Sequence, residues 1–366
     1  MIETLEIHGY RCFQSFRMSG LARVNLLVGR NNCGKTALLE AMELWVTGGA
    51  RFYVPLLRRG ESFPEDPNLP EGELEYDVRQ LFHGREITTN AELEVAARSR
   101  AGPERKVCLQ VTESSRPGPD RVMGDEASDA DDAAEPPTLL VRRNGPALDR
   151  AIGLTARFGW RPQAGSVPEP GPTGGQRFAY LFLSTGPWSG RVASDMWGRI
   201  ALTDDEDRIL DALHLLDSGI EKVRFVGTHP RDLRREARGF AVKHASFRPP
   251  VPIGSLGDGI WRVFVLATAL VSAKGSLVLV DEIDTGLHHT VMRDVWRIAL
   301  KTAERLGAQV FATTHSLDCI SALAEICEDA PQGSIALHRI ELGKAEAVTY
   351  PQEDIPTAVR HGIETR

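Results

Sequence analysis

The feature that most constrains this chain of 366 residues is an eight-residue segment, GRNNCGKT, at positions 29–36. It fits the pattern G-x-x-x-x-G-K-[ST] and lies between a short apolar stretch, 23–28, and a stretch of helical periodicity, 36–47. Glycines let a backbone close around phosphate oxygens, and the amide groups at a helix N-terminus then face the anion. The order of strand, glycine loop and helix therefore predicts a nucleotide site in an α/β fold.

Two side chains of this loop have defined expected roles. Lys35 would neutralise the β- and γ-phosphates, and the Thr36 hydroxyl would ligate Mg²⁺, which prefers oxygen ligands. The Cys33 thiol is interpreted as a small filler of the loop rather than as a redox switch. The candidate nucleotide-binding residues of the segment are Gly29, Asn31, Asn32, Cys33, Gly34, Lys35, Thr36 and Ala37.

A second half-site is predicted where two apolar stretches end. The first, 276–280, is followed by Asp281 and Glu282, and its lack of polar residues suits a central parallel strand. Asp281 can hold the hydration shell of Mg²⁺, and Glu282 can polarise the attacking water. The second stretch, 309–313, is followed closely by His315. Since strand C-termini form the ligand face of an α/β sheet, His315 could hydrogen-bond the γ-phosphate.

A second glycine loop, 254–259, precedes an apolar helical stretch, 260–273. Its place ahead of the acidic strand makes it a second helix N-terminus that can face an anion. If the two glycine loops mark different edges of one head, this helix cannot easily reach its own phosphate loop. It would instead reach the nucleotide of a partner, and we therefore expect a homodimer that holds ATP between two copies.

Together these segments resemble the ABC-type ATPase heads of the SMC and RecF group, in particular the stand-alone AAA ATPases related to the overcoming-lysogenization-defect (OLD) proteins. The resemblance rests on GRNNCGKT, SLGDGIWR, LVLVDEIDTGLHH and FATTHS, with HGYRCF and AVRHGIETR near the two ends. It covers residues 1–47 and 240–366 well. It implies a P-loop NTPase fold of the ABC-ATPase type, with a mixed sheet, an antiparallel β subdomain and a helical insertion.

The resemblance also implies roles for particular positions. Arg11 falls in the loop on the adenine side of the site. Gly257 and Gly259 match the signature loop, Asp284 matches the D-loop that crosses the dimer, and His315 matches the switch histidine. With Lys35 and Glu282, the switch histidine completes the expected catalytic set.

Two positions depart from the family pattern or leave a choice open. Gly257 stands where the signature loop usually has a serine, so either Ser255 substitutes or sensing of the γ-phosphate is weakened and turnover is slow. The Q-loop glutamine would be a further ligand of the metal. Gln80 and Gln176 are both candidates for this position, and Gln80 is favoured.

The sequence pattern divides the chain into three parts. Residues 1–190 form an N-terminal lobe with the phosphate loop, antiparallel strands and insertions, including an acidic loop at about 114–137. Residues 191–240 form a helical, arginine-rich insertion, and residues 241–366 form a C-terminal lobe with the signature loop, the acidic strand and the switch histidine. A stripe that could bind DNA phosphates, or simply be a solvated face, consists of Arg224, Arg231, Arg234, Arg235 and Arg238.

Composition restricts the setting in which the protein acts. A protein that binds nucleic acid mainly through the phosphate backbone is usually basic overall, and the net charge of −7 argues against that class. Any contact with DNA would therefore have to come from a local cationic patch. No apolar run reaches the roughly 18 residues of a membrane helix, and no membrane contact is expected. The five cysteines form no CxxC pair, which favours a reducing cytoplasm over a disulfide framework.

These observations predict a head that binds ATP, hydrolyses it with Mg²⁺, dimerises on ATP and switches a DNA-acting or effector partner in DNA maintenance or anti-phage defence. The alternative is a low-turnover nucleotide sensor or scaffold of a defence or toxin–antitoxin-like complex. A transporter motor is disfavoured because Lys35 and Gly257 are 222 positions apart, and a Ras-like GTPase because no N-K-x-D motif occurs. About fifty residues follow His315, too few for the Toprim nuclease domain of OLD proteins, so a separate nuclease or effector is expected.

Overall fold

The computed structural model describes residues 1–64, 73–87, 90–100, 102–112, 136–144, 148–162, 180–184, 190–227, 239–273 and 275–362. The strands, numbered in chain order, are β1 (Ile2–Tyr10), β2 (Phe13–Ser19), β3 (Val24–Val28), β4 (Tyr76–Asp77), β5 (Glu92–Ser99), β6 (Arg105–Thr112), β7 (Thr138–Arg143), β8 (Leu148–Gly153), β9 (Gly159–Trp160), β10 (Tyr180–Leu183), β11 (Ile220–Phe225), β12 (Phe240–His244), β13 (Phe247–Pro252), β14 (Leu277–Val280), β15 (Gln309–Thr313), β16 (Ile335–Arg339) and β17 (Val348–Pro351). The helices are α1 (Lys35–Val46), α2 (Val54–Arg59), α3 (Gly190–Ile200), α4 (Asp204–His214), α5 (Asp258–Ser272), α6 (His289–Leu306), α7 (Leu317–Cys327) and α8 (Ile355–Arg360). Short 3₁₀ segments lie at Val78–Leu81, His83–Arg85 and Ile253–Leu256.

A mixed sheet with the strand order β10-β14-β15-β3-β16-β17 forms the centre of the fold. The first five of these strands run parallel, and β17 pairs with β16 in the antiparallel direction. Strands β3, β14 and β15 are mainly apolar and buried at every position, as expected for a sheet covered on both faces. Because these strands are parallel, their carboxyl ends meet at one edge, where the phosphate loop leaves β3.

The two faces of the central sheet belong to two separate cores. Leu27, Leu279 and Phe311 pack into the core that contains α1 and the antiparallel strands β1, β2, β5 and β6. Their neighbours Leu26 and Val278 pack into the core that contains α5, α6 and α7. The alternation of side chains along a strand produces this division, so each central strand contributes to both cores.

Two further sheets flank this centre. The sheet β2-β1-β5-β6-β7-β8 is antiparallel throughout and presents alternate residues such as Leu93, Val95 and Val107 to the core beside α1. The smaller sheet β11-β12-β13 packs beside α4 and α5. The larger sheet is built from strands within residues 1–190, where antiparallel strands were expected.

The insertion expected at residues 191–240 contains a strand as well as helices. Helices α3 and α4 are followed by β11, which pairs with β12 from the adjoining part of the chain, so the boundary expected at 240 falls inside a sheet. Of the arginine stripe, only Arg224 lies in the described residues, exposed on β11. The acidic loop lies almost wholly outside them. No helix in the described ranges is long and apolar enough to cross a membrane.

The segment that carries Gln80 is anchored by a buried carboxylate. Glu75 accepts hydrogen bonds from Thr155, Arg157 and Arg161, at 2.6 to 3.0 Å, and its side chain is buried. The hydrogen bonds from Arg157, assisted by those from Thr155 and Arg161, lower the pKa of Glu75 from 4.5 to about 2 although burial opposes the shift.

We expect Glu75 to contribute to stability above pH 4.5 and to lose that contribution as the pH falls from 4.5 towards 2, because the folded state favours the charged carboxylate. The substitution Glu75→Gln should therefore lower the free energy of unfolding near neutral pH and flatten its decline in acid. Urea unfolding between pH 2 and pH 7 measures both effects. An unfolding profile parallel to that of the parent protein at every pH would contradict the assignment.

Candidate nucleotide site

The phosphate loop has a backbone that requires glycine at two positions. Gly29 has a φ of 145°, and a Cβ there would lie 2.3 Å from the carbonyl oxygen of Ile340. Gly34, which precedes α1, has a φ of 104°, and a Cβ there would lie 2.6 Å from the sulfur of Cys12. Side chains are therefore excluded at both positions, and only glycine fits this backbone.

Lys35 is held inside the loop by main-chain oxygens. Its ammonium group donates to the carbonyls of Gly29 and Arg30 at 2.8 and 2.9 Å, and it lies 3.4 Å from Nδ1 of His315. Burial lowers the pKa of the lysine. Cys33, whose sulfur is 3.8 Å from the ammonium, is buried beneath the loop, in keeping with its interpretation as a filler.

The carboxylate of Asp281 joins the phosphate loop to the neighbouring strands. The Thr36 hydroxyl approaches both oxygens of this carboxylate, at 3.1 and 3.0 Å. The Thr313 hydroxyl, at the end of β15, donates to Oδ1 at 2.7 Å. A hydroxyl and a carboxylate oxygen are therefore adjacent at the start of α1, and both are ligand types that Mg²⁺ accepts.

Glu282 has an unusual backbone that is held from two directions. Its φ is 48°, a region that few residues other than glycine occupy. Its amide donates to the hydroxyl of Thr313 at 2.8 Å, and its carbonyl accepts from Nη2 of Arg262 at 2.5 Å. Its carboxylate accepts from the hydroxyl of Thr285 at 3.0 Å and lies 3.8 Å from Nε2 of His315.

A cavity of about 960 Å³ lies above these groups. It is lined by loop residues 31, 32 and 34–37, with Gln80, Glu282 and His315. Asp281 and Cys33 are buried and do not line it. The structure thus places the side chains predicted for phosphate binding and hydrolysis around one space, at the edge where the parallel strands end.

Arg11 also lines the cavity, but two carboxylates already hold its guanidinium group. Glu40 and Glu61 pair with it at 2.9 and 2.8 Å, and the arginine side chain is buried. Glu40 also pairs with Arg59, another residue of the cavity wall, at 2.8 Å. This ion-pair network was not predicted, since only the fold brings Glu40 of α1 next to these arginines.

Of the two candidate Q-loop residues, one can be placed. Gln80 lines the cavity, and its amide nitrogen donates to the carboxylate of Asp77 at 3.1 Å. Gln176 lies outside the described residues. The choice of Gln80 as a metal ligand stays a prediction.

Gly257, Gly259 and Asp284 do not line the cavity of their own chain. Gly257 has a φ of 102° at the start of α5, which gives a physical reason for glycine in place of the usual serine. A Cβ at Gly259 would lie 3.2 Å from the carbonyl oxygen of Gly286, so the signature loop packs against the D-loop. Asp284 in turn accepts from the Thr314 hydroxyl at 2.6 Å.

Sequence reasoning missed Thr313, Thr314 and Arg262, although all three contact predicted residues. Thr313 and Thr314 are adjacent to the switch histidine, so their position was a usable signal. Their separate partners could not be read from the sequence, because hydroxyl hydrogen bonds depend on which loops meet in the fold.

The fold and this site define an ATPase domain of the SMC/Rad50-like ABC type. Residues 24–320 match the model of the family described as "AAA domain, putative AbiEii toxin, Type IV TA system". The chain belongs to this family.

Individual relatives agree with this assignment. An "ATP/GTP phosphatase" of Helicobacter pylori is 19% identical over 350 residues, which are 90% of this chain and 89% of that protein. The DNA repair protein RAD50 of Drosophila melanogaster is 30% identical over 122 residues, which are 31% of this chain and 8% of RAD50.

Solved structures show the same fold. An SMC head bound to the C-winged helix domain of ScpA gives a TM-score of 0.51 at 14% identity, and the match covers 96% of this chain and 98% of that one. A second SMC head, with an extended coiled coil and bound to the C-terminal domain of ScpA derived from Pyrococcus furiosus, gives 0.50 at 12% identity and covers 98% of both chains. The predicted fold class is confirmed, and the narrower relation to OLD proteins stays a prediction.

Replacing Lys35 with Met should weaken nucleotide binding by about a hundredfold, because it removes the cation that the loop holds at the cavity floor. Fluorescence titration with a labelled ATP analogue measures this loss. Lys301→Met, on the exposed side of α6, is the matched control and should bind as the parent protein does. Equal binding by Lys35→Met and the parent protein would refute the assignment of this cavity to the triphosphate.

Proposed function

We propose that this protein is a Mg²⁺-dependent ATPase head that dimerises around two ATP molecules and thereby switches a partner protein. One observation supports this proposal above all others. Lys35, Thr36, Asp281, Glu282 and His315 come from three separate segments and meet at one edge of the sheet. Phosphoryl transfer requires mainly positioning and charge, and this set supplies a cation, two metal-ligand types and a base.

The residues present fit Mg²⁺. The Thr36 hydroxyl lies about 3 Å from both oxygens of the Asp281 carboxylate, and hard oxygen donors are what this ion prefers. Gln80 would add an amide oxygen from the cavity wall. When bound with ATP, Mg²⁺ neutralises charge on the β- and γ-phosphate oxygens.

Two side chains would act on the water that attacks the γ-phosphate. Glu282 lines the cavity and accepts the proton of the water as general base. His315 lies between Lys35, at 3.4 Å, and Glu282, at 3.8 Å, where its ring nitrogens can reach the γ-phosphate and orient the base. The departing phosphate would break the contacts between heads, so hydrolysis would reopen the dimer.

The dimer is inferred from where the signature loop lies. Gly257, Gly259 and Asp284 do not line the cavity of their own chain, yet the two glycines lie at the N-terminus of α5, the end of a helix that favours an anion. In a head-to-head dimer these groups would contact the triphosphate held by the other copy. Each copy would then complete the site of its partner.

The partner and biological role extend this proposal further. The family description refers to toxin–antitoxin systems, and one relative is a DNA repair protein. We place the protein in the cytoplasm, where it switches a separate nuclease or effector in DNA maintenance or anti-phage defence. DNA, if contacted, would meet a local cationic patch, since the net charge is −7.

Gly257 supports a second candidate function. The φ of 102° disfavours the serine that usually senses the γ-phosphate, so the protein could bind ATP tightly and turn it over slowly as a sensor or scaffold. A single-turnover rate equal to the steady-state rate and far below 1 s⁻¹, the usual lower range for enzymes, would favour this role.

Replacing Glu282 with Gln should lower kcat by about 10² to 10⁴-fold while ATP binding persists, because the amide keeps the shape and cannot take the proton. Phosphate release measures turnover, and analytical ultracentrifugation with ATP should show the variant trapped as a dimer. Hydrolysis by Glu282→Gln at the parent rate would exclude Glu282 as the base.

A mixing experiment tests the shared site. Lys35→Met damages the phosphate loop. Gly257→Asp places a negative charge on the signature loop, where a Cβ would meet no atom within 4 Å although the φ of 102° strains any residue other than glycine. Each variant alone should be inactive, but a heterodimer has one intact composite site, so an equimolar mixture should recover about a quarter of the parent activity.

The control mixture combines Lys35→Met with Glu282→Gln, which damage the same half-site and should not complement each other. Recovery in neither mixture, with both variants folded by circular dichroism, would show that the site does not span two copies.

A further inference from the structure

Two consecutive threonines at the end of β15 form hydrogen bonds to different functional segments through their hydroxyl groups. Thr313 and Thr314 are both buried, at 1% and 0% exposure. Thr313 bonds to Asp281 and Glu282, whereas Thr314 bonds to Asp284 of the D-loop. Two neighbouring threonine hydroxyls thus bind two different segments, the acidic pair Asp281–Glu282 and the D-loop residue Asp284.

The hydrogen bonds of Thr313 have a fixed direction. A hydroxyl has one proton to donate and two lone pairs that accept. The carboxylate of Asp281 can only accept, at 2.7 Å, and the amide of Glu282 can only donate, at 2.8 Å. Thr313 therefore satisfies both partners at once, and no other arrangement of its proton does so.

These bonds fix the two acids in different ways. At Asp281, the hydroxyls of Thr36 and Thr313 approach the same oxygen, Oδ1, which orients the carboxylate plane. At Glu282, Thr313 holds the amide and Arg262 holds the carbonyl, so the peptide groups on both sides of a residue with a φ of 48° are bound. Loss of the Thr313 hydroxyl would release both restraints.

We propose that Thr313 is a positioning residue that aims the Asp281 carboxylate at Mg²⁺ and holds Glu282 in the conformation of a general base. This inference rests on the proposed ATPase function and adds a residue to its site. It predicts that one buried hydroxyl influences both the metal dependence of ATP binding and the rate of hydrolysis.

The test compares Thr313→Val with Thr314→Val, which make the same isosteric change at adjacent buried positions. For each variant, the affinity for a fluorescent ATP analogue is measured once with Mg²⁺ and once with a chelator. The ratio of the first affinity to the second is the gain in affinity due to the metal. Thr313→Val should lose most of this gain, on the order of tenfold, and a similar factor in kcat, while its affinity without metal is unchanged. Thr314→Val should keep the full gain, and Thr313→Ser should restore both quantities.

The proposal would be overturned if Mg²⁺ raised the affinity of Thr313→Val for the ATP analogue as much as it raises that of the parent protein. It would also be overturned if Thr314→Val lost this increase to the same extent as Thr313→Val. Thr313→Ala removes the hydroxyl without adding a methyl group and serves as the second variant if the valine variant does not fold. Absence of hydrolysis in the parent protein, with the metal gain intact, would reject the ATPase function separately, and the binding ratio would still decide the role of Thr313.

Discussion

The Asp281 carboxylate is the point at which the parts of the site are joined. It receives hydroxyl groups from Thr36, 245 positions earlier, and from Thr313, 32 positions later. A second link among the same three segments runs through His315, whose ring nitrogens lie 3.4 Å from the ammonium of Lys35 and 3.8 Å from the carboxylate of Glu282. The parallel direction of β3, β14 and β15 makes the junction geometrically possible, because all three strands end on the same side.

Helix α1 imposes a second constraint, since it lies between two layers and buries every residue except Thr36. Its acidic residues Glu40 and Glu43 therefore need cationic partners, which come from Arg11, Arg58 and Arg59. Buried ion pairs of this kind add little net stability but are costly to break singly. They fix the orientation of the helix, and with it the amides that face the cavity.

Sequence reasoning found the parts of this protein that depend on local patterns. The loop at 29–36 and the mainly apolar strands β3, β14 and β15 were predicted in the right order, because a motif and a predominantly hydrophobic run need no tertiary information. The pairing of β11 with β12 and the partners of Thr313 were missed, since both depend on segments that meet only in the fold. The same reason explains why the buried role of Glu40 was not anticipated.

The position of β3 in its sheet has a consequence for biosynthesis. This strand ends at residue 28, whereas both of its neighbours, β15 and β16, begin only at residues 309 and 335. Both edges of β3 therefore lack hydrogen-bonding partners until those segments have been synthesised, a state that favours chaperone capture and aggregation.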